Sequence, residues 1–106
     1  MQPNELEVHE EELGDGTRRL ALKGELDMVS APEVSARLEE LARDGSAVRL
    51  DLSELSFMDS TGVRVIYTAS RALQDSGGRL EIVKPEGEPW RALEITGLHR
   101  ILPFTD

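Results

Sequence analysis

Segments with strand periodicity and segments with helix periodicity follow one another along most of this chain. Three segments place apolar residues at every second position, and they cover 17–26, 47–52 and 79–84. Such alternation is typical of strands that bury one face only. Amphipathic helical segments lie between them: the first opens on a capping box formed by Ser30 and Glu33, and the second covers 60–76. Strands joined by helices need parallel crossovers, so we expect an α/β fold.

The remaining segments complete the element order ββαβαβα(β). Alternation over 5–9 and a following Gly-Asp-Gly turn predict a hairpin with strand 17–26. Pro89 opens a third helix that stops at Gly97, and the apolar tail 101–104 is assigned to a fifth strand. Because the strands alternate instead of being apolar throughout, one face of the sheet is polar. We therefore expect a small mixed β-sheet of four to five strands with about three helices packed mainly on one face.

The composition indicates one acidic domain, and we treat residues 1–106 as a single unit with its own core. The net charge is −9, from 21 acidic residues against 12 lysines and arginines. Such a surface repels phosphate backbones and anionic lipid, so we expect no nucleic-acid partner and no membrane partner. A protein partner with a basic surface fits better. The same charge, together with the lack of an obvious apolar patch, predicts a monomer in the free state.

Cysteine usage and apolar runs predict a cytoplasmic location. The chain has no cysteine, which excludes disulfides, thiol catalysis and thiolate metal sites and fits a reducing compartment. The acidic N-terminal segment lacks the apolar stretch of a signal peptide. No apolar run approaches the roughly 18 residues that a membrane span needs.

The segment FMDSTG, at 57–62, combines an acid, two hydroxyls and a glycine where a strand meets a helix. Its simplest role is capping, with Asp59 or Ser60 as the helix N-cap. The segment differs from the Asp-Ser/Thr-Gly triplet of aspartic proteases, because an extra hydroxyl residue separates the acid from the glycine. A serine hydrolase would need His9 or His99 as its base, and the sequence has no G-x-S-x-G elbow. Metal-ligand clusters and phosphate-binding loops are also missing from the sequence. We therefore expect no catalytic residue and no bound metal.

A phosphoacceptor role is the other interpretation of the segment. Ser60 would lie in the first helical turn, where a phosphoryl group of roughly −1.5 to −2 charge meets the positive end of the helix dipole. Gly62 either leaves a bare surface for a partner or lets the helix start pack closely against the sheet. The residues alone leave capping and phosphorylation both open.

The segment LDLSELSFMDSTGVRVI, at 50–66, resembles the signature of STAS-domain anti-sigma factor antagonists. That signature is a strand, a loop ending in Phe or Met, and Asp-Ser-Ser/Thr-Gly opening a helix; Thr61 is a common variant of the second serine. Three further segments resemble the family's turn before the first helix, its Gly-Gly entry to the fourth strand and its third helix, and they are 24–34, 77–85 and 93–104. The resemblance implies the STAS fold and a single STAS domain over 1–106.

The resemblance also implies a switch. Ser60 would be phosphorylated by a cognate anti-sigma factor, which is a serine kinase of the histidine-kinase-like ATPase fold. Unphosphorylated antagonist binds this kinase and frees the sigma factor, phosphorylation ends the binding, and a metal-dependent PP2C-type phosphatase reverses it. ATP and metal belong to these partners, so this chain would need no cofactor. Asp27, Asp59, Thr61 and Gly62 would share the partner-binding surface with Ser60.

The resemblance implies that Asp27 would contact the kinase and that Asp59 would help shape the acceptor site. Phe57 and Met58 are expected to anchor the loop in the core. One alternative stays open. STAS accessory subunits, as in lipid-trafficking ABC transporters, dock a hydroxyl-bearing loop on an ATPase without phosphorylation. The intact Asp-Ser-Thr-Gly favours the antagonist interpretation.

Overall fold

The computed structural model describes residues 6–105, so Glu5, the first residue of the predicted strand 5–9, lies outside the described residues. The elements are β1 Leu6–Glu12, β2 Arg18–Leu26, α1 Ala31–Arg43, β3 Ala47–Met58, α2 Ser60–Asp75, β4 Arg79–Val83, α3 Glu88–Ile95, a 3₁₀ turn Leu98–Arg100 and β5 Phe104–Thr105. This order matches the predicted one. Most helix and strand ends agree with the prediction within one or two residues, and the exceptions lie in β1, β3 and the tail.

The strands form one five-stranded sheet in the order β1-β2-β3-β4-β5. β1 runs antiparallel to β2, and every later neighbour pair is parallel. Each of the three β–α–β units steps in the same direction across the sheet. Because such crossovers keep one hand, units that step in one direction place their helices on one face. The predicted mixed sheet, with its helices on one face, is confirmed.

The core lies between that face and the helices. Alternate strand residues and one stripe of each helix form a single buried cluster, whose fully covered members include Leu20, Leu22, Leu50, Leu52, Ile82, Val34, Leu38, Ile66, Leu73 and Leu93. Burying a side chain of this size stabilises the fold by about 1.5–3 kcal/mol. On the opposite face of the sheet, Arg19 donates to Asp51 at 2.8 Å and Arg49 donates to Glu81 at 3.1 Å. The strand alternation therefore separates an apolar face from an ion-paired one.

β3 continues six residues beyond its predicted end, so the prediction that it stops at 52 is wrong. Its register with β2 shifts twice, and the pairs flanking the shifts are Ala21–Asp51 and Lys23–Glu54, then Gly24–Leu55 and Glu25–Phe57. Each shift inserts one extra residue in β3, which is a β-bulge. Each bulge also puts two exposed residues in succession, so the alternation ends although the strand does not.

The tail 101–104 was predicted to be the fifth strand, and this placement is wrong. β5 is Phe104–Thr105, and a 3₁₀ turn precedes it. The amide of Leu102 donates to the carbonyl of Leu98 at 3.0 Å, which keeps the chain coiled there. Pro103 has no N–H for a ladder, but its carbonyl accepts from β4 at 3.0 Å and starts the pairing.

An ion-pair network joins the hairpin to α1. Glu10 on β1 accepts from Arg18 on β2 at 2.8 Å and from the Arg37 Nε on α1 at 2.7 Å. The hydrogen bond from Arg37, supported by Arg18, lowers the pKa of Glu10 from 4.5 to about 2. This pairing also explains why Glu10 and its acidic neighbours extend β1 to Glu12 instead of ending the strand.

We expect Glu10→Gln to lower the free energy of unfolding by about 1–2 kcal/mol at neutral pH. The reason is that a hydrogen bond from arginine to a charged carboxylate is stronger than one to a neutral amide. The Glu10 pKa is lower in the folded protein, so its stabilisation is complete above pH 4.5 and is lost as the pH falls towards 2. Urea unfolding from pH 7 to pH 2.5 should show the variant approaching wild type in acid. Glu12→Gln is the control, because the Glu12 side chain is 64% exposed and its Oε1 lies 3.4 Å from the Arg18 Nη1. An equal loss in both variants would contradict this account.

Candidate functional site

The candidate site lies where β2 and β3 end. Leu26 and Met58 are partners in the parallel register, so both strands finish side by side. The amide of Asp59 then donates to the carbonyl of Leu26 at 3.2 Å and ties the two strand ends together. The loop that follows β2 and the first turn of α2 consequently share one edge of the sheet. The structure thereby brings Asp27 to the same edge as Ser60.

Asp59 is the N-cap of α2. Its backbone is extended, with φ −98° and ψ −174°, and its Oδ1 accepts from the Gly62 amide at 3.0 Å. Its carbonyl accepts from the Val63 amide at 3.0 Å and starts the helical ladder. Of the two capping candidates, the structure therefore selects Asp59. Ser60 becomes the first helical residue, and its hydroxyl is not needed for the cap.

The Ser60 side chain is exposed at the positive end of α2. Within the described part of the chain, its hydroxyl makes no hydrogen bond. The first turn of α2 contains no acidic residue, so the Asp59 cap supplies the negative charge next to the positive end of the helix dipole. Thr61, the neighbouring hydroxyl, is half-buried. A phosphoryl group on Ser60 would thus displace no contact of the fold and would meet a favourable field.

Gly62 is required by close packing. A Cβ built there would lie 2.8 Å from both the Leu26 carbonyl oxygen and the Met58 Cγ, well inside van der Waals contact. Its backbone φ is not in the left-handed region, so conformation alone does not demand glycine. The missing side chain lets the first turn of α2 sit directly on the ends of β2 and β3. Of the two interpretations of Gly62, close packing accounts for the glycine.

Asp27 organises the loop between β2 and α1. Its Oδ1 accepts from the amides of Val29 at 3.0 Å and Ser30 at 3.1 Å. The Ser30 hydroxyl donates to the carbonyl of Glu25 at 2.9 Å and makes no side-chain cap to α1. The predicted capping box of Ser30 with Glu33 is therefore wrong, because that hydroxyl already closes the preceding loop. Asp27 itself is half-buried, with one oxygen committed to the backbone.

Exposed apolar side chains occur on the segments that form the site, namely the loop after β2 and the end of β3. Met28 is 71% exposed, Val29 is 64% exposed and Phe57 is 39% exposed. The prediction that Phe57 and Met58 both anchor the loop is right only for Met58, since neighbouring strand residues point to opposite faces. The sequence interpretation missed this apolar group. The available signal was an apolar dipeptide, Met28-Val29, in a loop that neither strand nor helix periodicity uses.

A shallow hollow of about 330 Å³ adjoins Ser60 on its other side. It is lined by Ser60, Val63, Arg64, Tyr67, Thr96 and Leu98. Its near wall is α2, and its far wall is the end of α3 with the turn that follows. Apart from Ser60, these residues were not among the predicted site residues. Arg64 could have been found, because it follows Ser60 by four positions and so lies on the same helical face.

Two other kinds of feature are missing from residues 6–105. No group of three or more histidines, cysteines or acids there could hold a metal ion. None of the helices in that range is both long enough and apolar enough to cross a bilayer.

The sequence profile of the STAS domain matches residues 11–106. The chain belongs to the STAS-domain family. It is 35% identical over 84 residues to the anti-sigma-B factor antagonist of Bacillus subtilis, covering 79% of this chain and 77% of that protein. This STAS domain therefore has the family relationship that its 50–66 segment indicated.

Solved structures of anti-sigma factor antagonists share the fold. That of Mycobacterium paratuberculosis superposes with a TM-score of 0.82 at 27% identity, over 97% of this chain and 87% of the other. Unphosphorylated SpoIIAA gives 0.73 at 23% identity over 94% and 88% of the two chains. Phosphorylated Bacillus SpoIIAA gives 0.74 at 24% over 94% and 90%. The fold of this STAS domain thus resembles both states of SpoIIAA equally well.

We expect Gly62→Ala to lower the free energy of unfolding by about 1–3 kcal/mol, because the added methyl group forces the start of α2 off the sheet. Without that clash, alanine in a helix would stabilise it by about 1 kcal/mol relative to glycine. Urea melts of the two proteins measure the difference. Gly14→Ala serves as the control, since a Cβ there has no neighbour within 4 Å. A Gly62→Ala protein as stable as wild type would show that the contact is not tight.

Proposed function

We propose that this STAS domain is an anti-sigma factor antagonist that phosphorylation of Ser60 switches off. The observation that carries the proposal is the Ser60 hydroxyl, exposed and without a hydrogen bond in the described chain, at the first turn of α2. The relatives named as anti-sigma factor antagonists support this function. They also favour it over the transporter-subunit alternative.

In the proposed switch, the unphosphorylated domain binds an anti-sigma factor and thereby frees the sigma factor. The anti-sigma factor is a serine kinase of the histidine-kinase-like ATPase fold. The Ser60 Oγ attacks the γ-phosphorus of the kinase's ATP, the bond to the leaving ADP breaks, and a base on the kinase takes the hydroxyl proton. A PP2C-type phosphatase hydrolyses the phosphoserine and restores the hydroxyl. The domain is the acceptor and a binding regulator, not an enzyme, and uses no cofactor of its own.

The proposed docking surface contains Asp27, Asp59, Ser60, Thr61 and Gly62. Asp27 and Asp59 contribute negative charge and hold their backbone segments rigid, so little conformational entropy is lost on binding. Gly62 keeps the helix start low against the sheet. The net charge of −9 suits a partner with basic residues at its interface.

Phosphorylation would end the binding through charge and solvation. The exposed apolar side chains beside the site are suited to burial against the partner. A phosphoryl group of roughly −1.5 to −2 charge in such a contact must be desolvated against apolar surface, and this cost outweighs its attraction to basic residues of the partner. The free domain is proposed to be a cytoplasmic monomer on the strength of its net charge of −9, because the exposed Met28, Val29 and Phe57 remove the other argument, the lack of an apolar patch.

We expect the cognate anti-sigma kinase with ATP to phosphorylate Ser60, as mapped by mass spectrometry of the intact protein and its peptides. Ser60→Ala should abolish incorporation and still bind the kinase. Thr61→Ala removes the adjacent hydroxyl from the docking surface, and the phosphate that is still incorporated should map to Ser60. Stable binding to the kinase with no phosphate on Ser60 would instead support the docking-only alternative.

A Ser60→Glu variant should bind the kinase at least about tenfold more weakly, a difference of about 1.4 kcal/mol. Its far-UV circular dichroism and melting temperature should match wild type, because Asp59 and not Ser60 caps the helix. Calorimetric titration against the kinase measures the first quantity. Loss of helix signal in this variant would mean that the Ser60 side chain has a structural role after all.

For Asp27→Asn we expect weaker kinase binding, by a factor of roughly five, because one interface charge is lost. The fold should be kept, since the asparagine Oδ1 can still accept from the amides of Val29 and Ser30. Asp27→Ala removes that acceptor and should also lower the free energy of unfolding by about 1 kcal/mol. Calorimetry and urea melts on both variants separate the two roles. Unchanged affinity in Asp27→Asn would remove Asp27 from the interface.

A further inference from the structure

We propose that Arg64 holds the phosphoryl group of phosphorylated Ser60 against the surface of α2. The inference rests on the proposed function, in that it concerns the state in which Ser60 is modified. It assigns to Arg64 a positioning role: the arginine stabilises the doubly charged phosphate and keeps it folded along the helix.

The spacing puts the two side chains within reach of each other. Ser60 is the first residue of α2 and Arg64 follows it by four positions. Residues with this spacing have Cβ atoms about 5–6 Å apart on one face of a helix. Both side chains are exposed, and both line the 330 Å³ hollow. A phosphate on Ser60 and the Arg64 guanidinium can therefore meet without any movement of the backbone.

Arg64 is free to make this contact. Within residues 6–105 its side chain has no hydrogen bond and no ion pair. Arg71, two turns further along α2, differs because it donates to the Tyr67 hydroxyl at 3.1 Å. An arginine without a partner gives up nothing when a phosphate arrives, apart from the rotamer freedom of its own side chain.

Among the described residues that line the hollow, Arg64 carries the positive charge. The other residues that line the hollow are uncharged: Val63, Tyr67, Thr96 and Leu98, besides Ser60 itself. The nearest carboxylate along the chain is that of Asp59, which accepts a hydrogen bond from the Gly62 amide. It repels the phosphate, whereas Arg64 attracts it. Across the strand ends, Asp27 directs one oxygen to its own loop amides. Of the residues that the structure describes, Arg64 is thus the only charged one that lines the hollow; His99 and Arg100 belong to the 3₁₀ turn of the far wall but are not part of the lining.

The order of the two charges along the helix is the favourable one. An acidic group four residues before a basic group stabilises a helix better than the reverse order, and here the phosphate also lies at the positive end of the dipole. Guanidinium adds two parallel donors that match phosphate oxygens in geometry. The pair favours the dianion over the monoanion, so it lowers the second pKa of the phosphoserine below its usual value of about 6.

The test uses protein in which phosphoserine is installed at position 60 during translation, so that no kinase is needed. Phosphorus NMR titrations between pH 4.5 and pH 8 then give the second pKa of the phosphate. We expect Arg64→Gln to raise that pKa by about 0.3 unit, the size of an exposed i,i+4 ion pair. Arg64→Lys keeps the charge and should stay closer to wild type than to Arg64→Gln.

Arg79→Gln is the matched control. It removes the same charge from an exposed arginine that starts β4 beside Ala47, at the opposite end of β3 from Ser60. That end is roughly 30 Å away, several Debye lengths at physiological salt. The control should leave the phosphate pKa unchanged. The shift in Arg64→Gln should also shrink in 1 M salt, as screening of an exposed pair requires.

Identical phosphate pKa values in wild type, Arg64→Gln and Arg79→Gln would overturn the role of Arg64. That result would leave the proposed function untouched, because the kinase assay on Ser60 is independent of it. Conversely, a kinase that fails to modify Ser60 would overturn the proposed function while the installed phosphoserine still reports on Arg64.

Discussion

The hydrogen bond from the Asp59 amide to the Leu26 carbonyl is the contact on which the site depends. It joins the ends of β2 and β3 after the bulged part of β3 has carried that strand six residues past its regular alternation. Without that extension, the start of α2 would lie away from the loop that Asp27 organises. Gly62 then lets the start of α2 pack directly on the joined strand ends. The length of β3, the Asp59 cap and Gly62 therefore together determine where Ser60 lies.

Much of the fold follows from local patterns in the sequence. The amphipathic stripe of α2, the alternation in β2 and the hairpin turn are encoded by residues a few positions apart, and all were predicted correctly. The bulges in β3 were not, because a register shift depends on the partner strand. The position of the fifth strand was predicted wrongly for a similar reason, because the turn before Pro103 depends on a backbone hydrogen bond from Leu102 to Leu98.

The site was predictable in part. A capping acid followed by an exposed hydroxyl could be inferred, because capping preferences act within three residues. The resemblance to antagonists singled out Ser60 from its neighbours. The loop role of Asp27, the exposure of Phe57 and the hollow beside Arg64 could not be inferred in the same way, since each depends on how separate elements meet. The sequence around Ser30 has the pattern of a helix cap, but the Ser30 hydroxyl donates instead to the carbonyl of Glu25, five residues earlier.

Capping by Asp59 and modification at Ser60 involve different residues, and this has a consequence for the relative stability of the two forms of the protein. Because Asp59 and not Ser60 caps the helix, modification of Ser60 removes no contact on which folding depends, and the two equilibria are coupled only weakly, through the helix dipole and Arg64. Both forms should therefore have similar lifetimes against unfolding and proteolysis. The ratio of the two forms would then record the balance of kinase and phosphatase activity, undistorted by selective loss of either form.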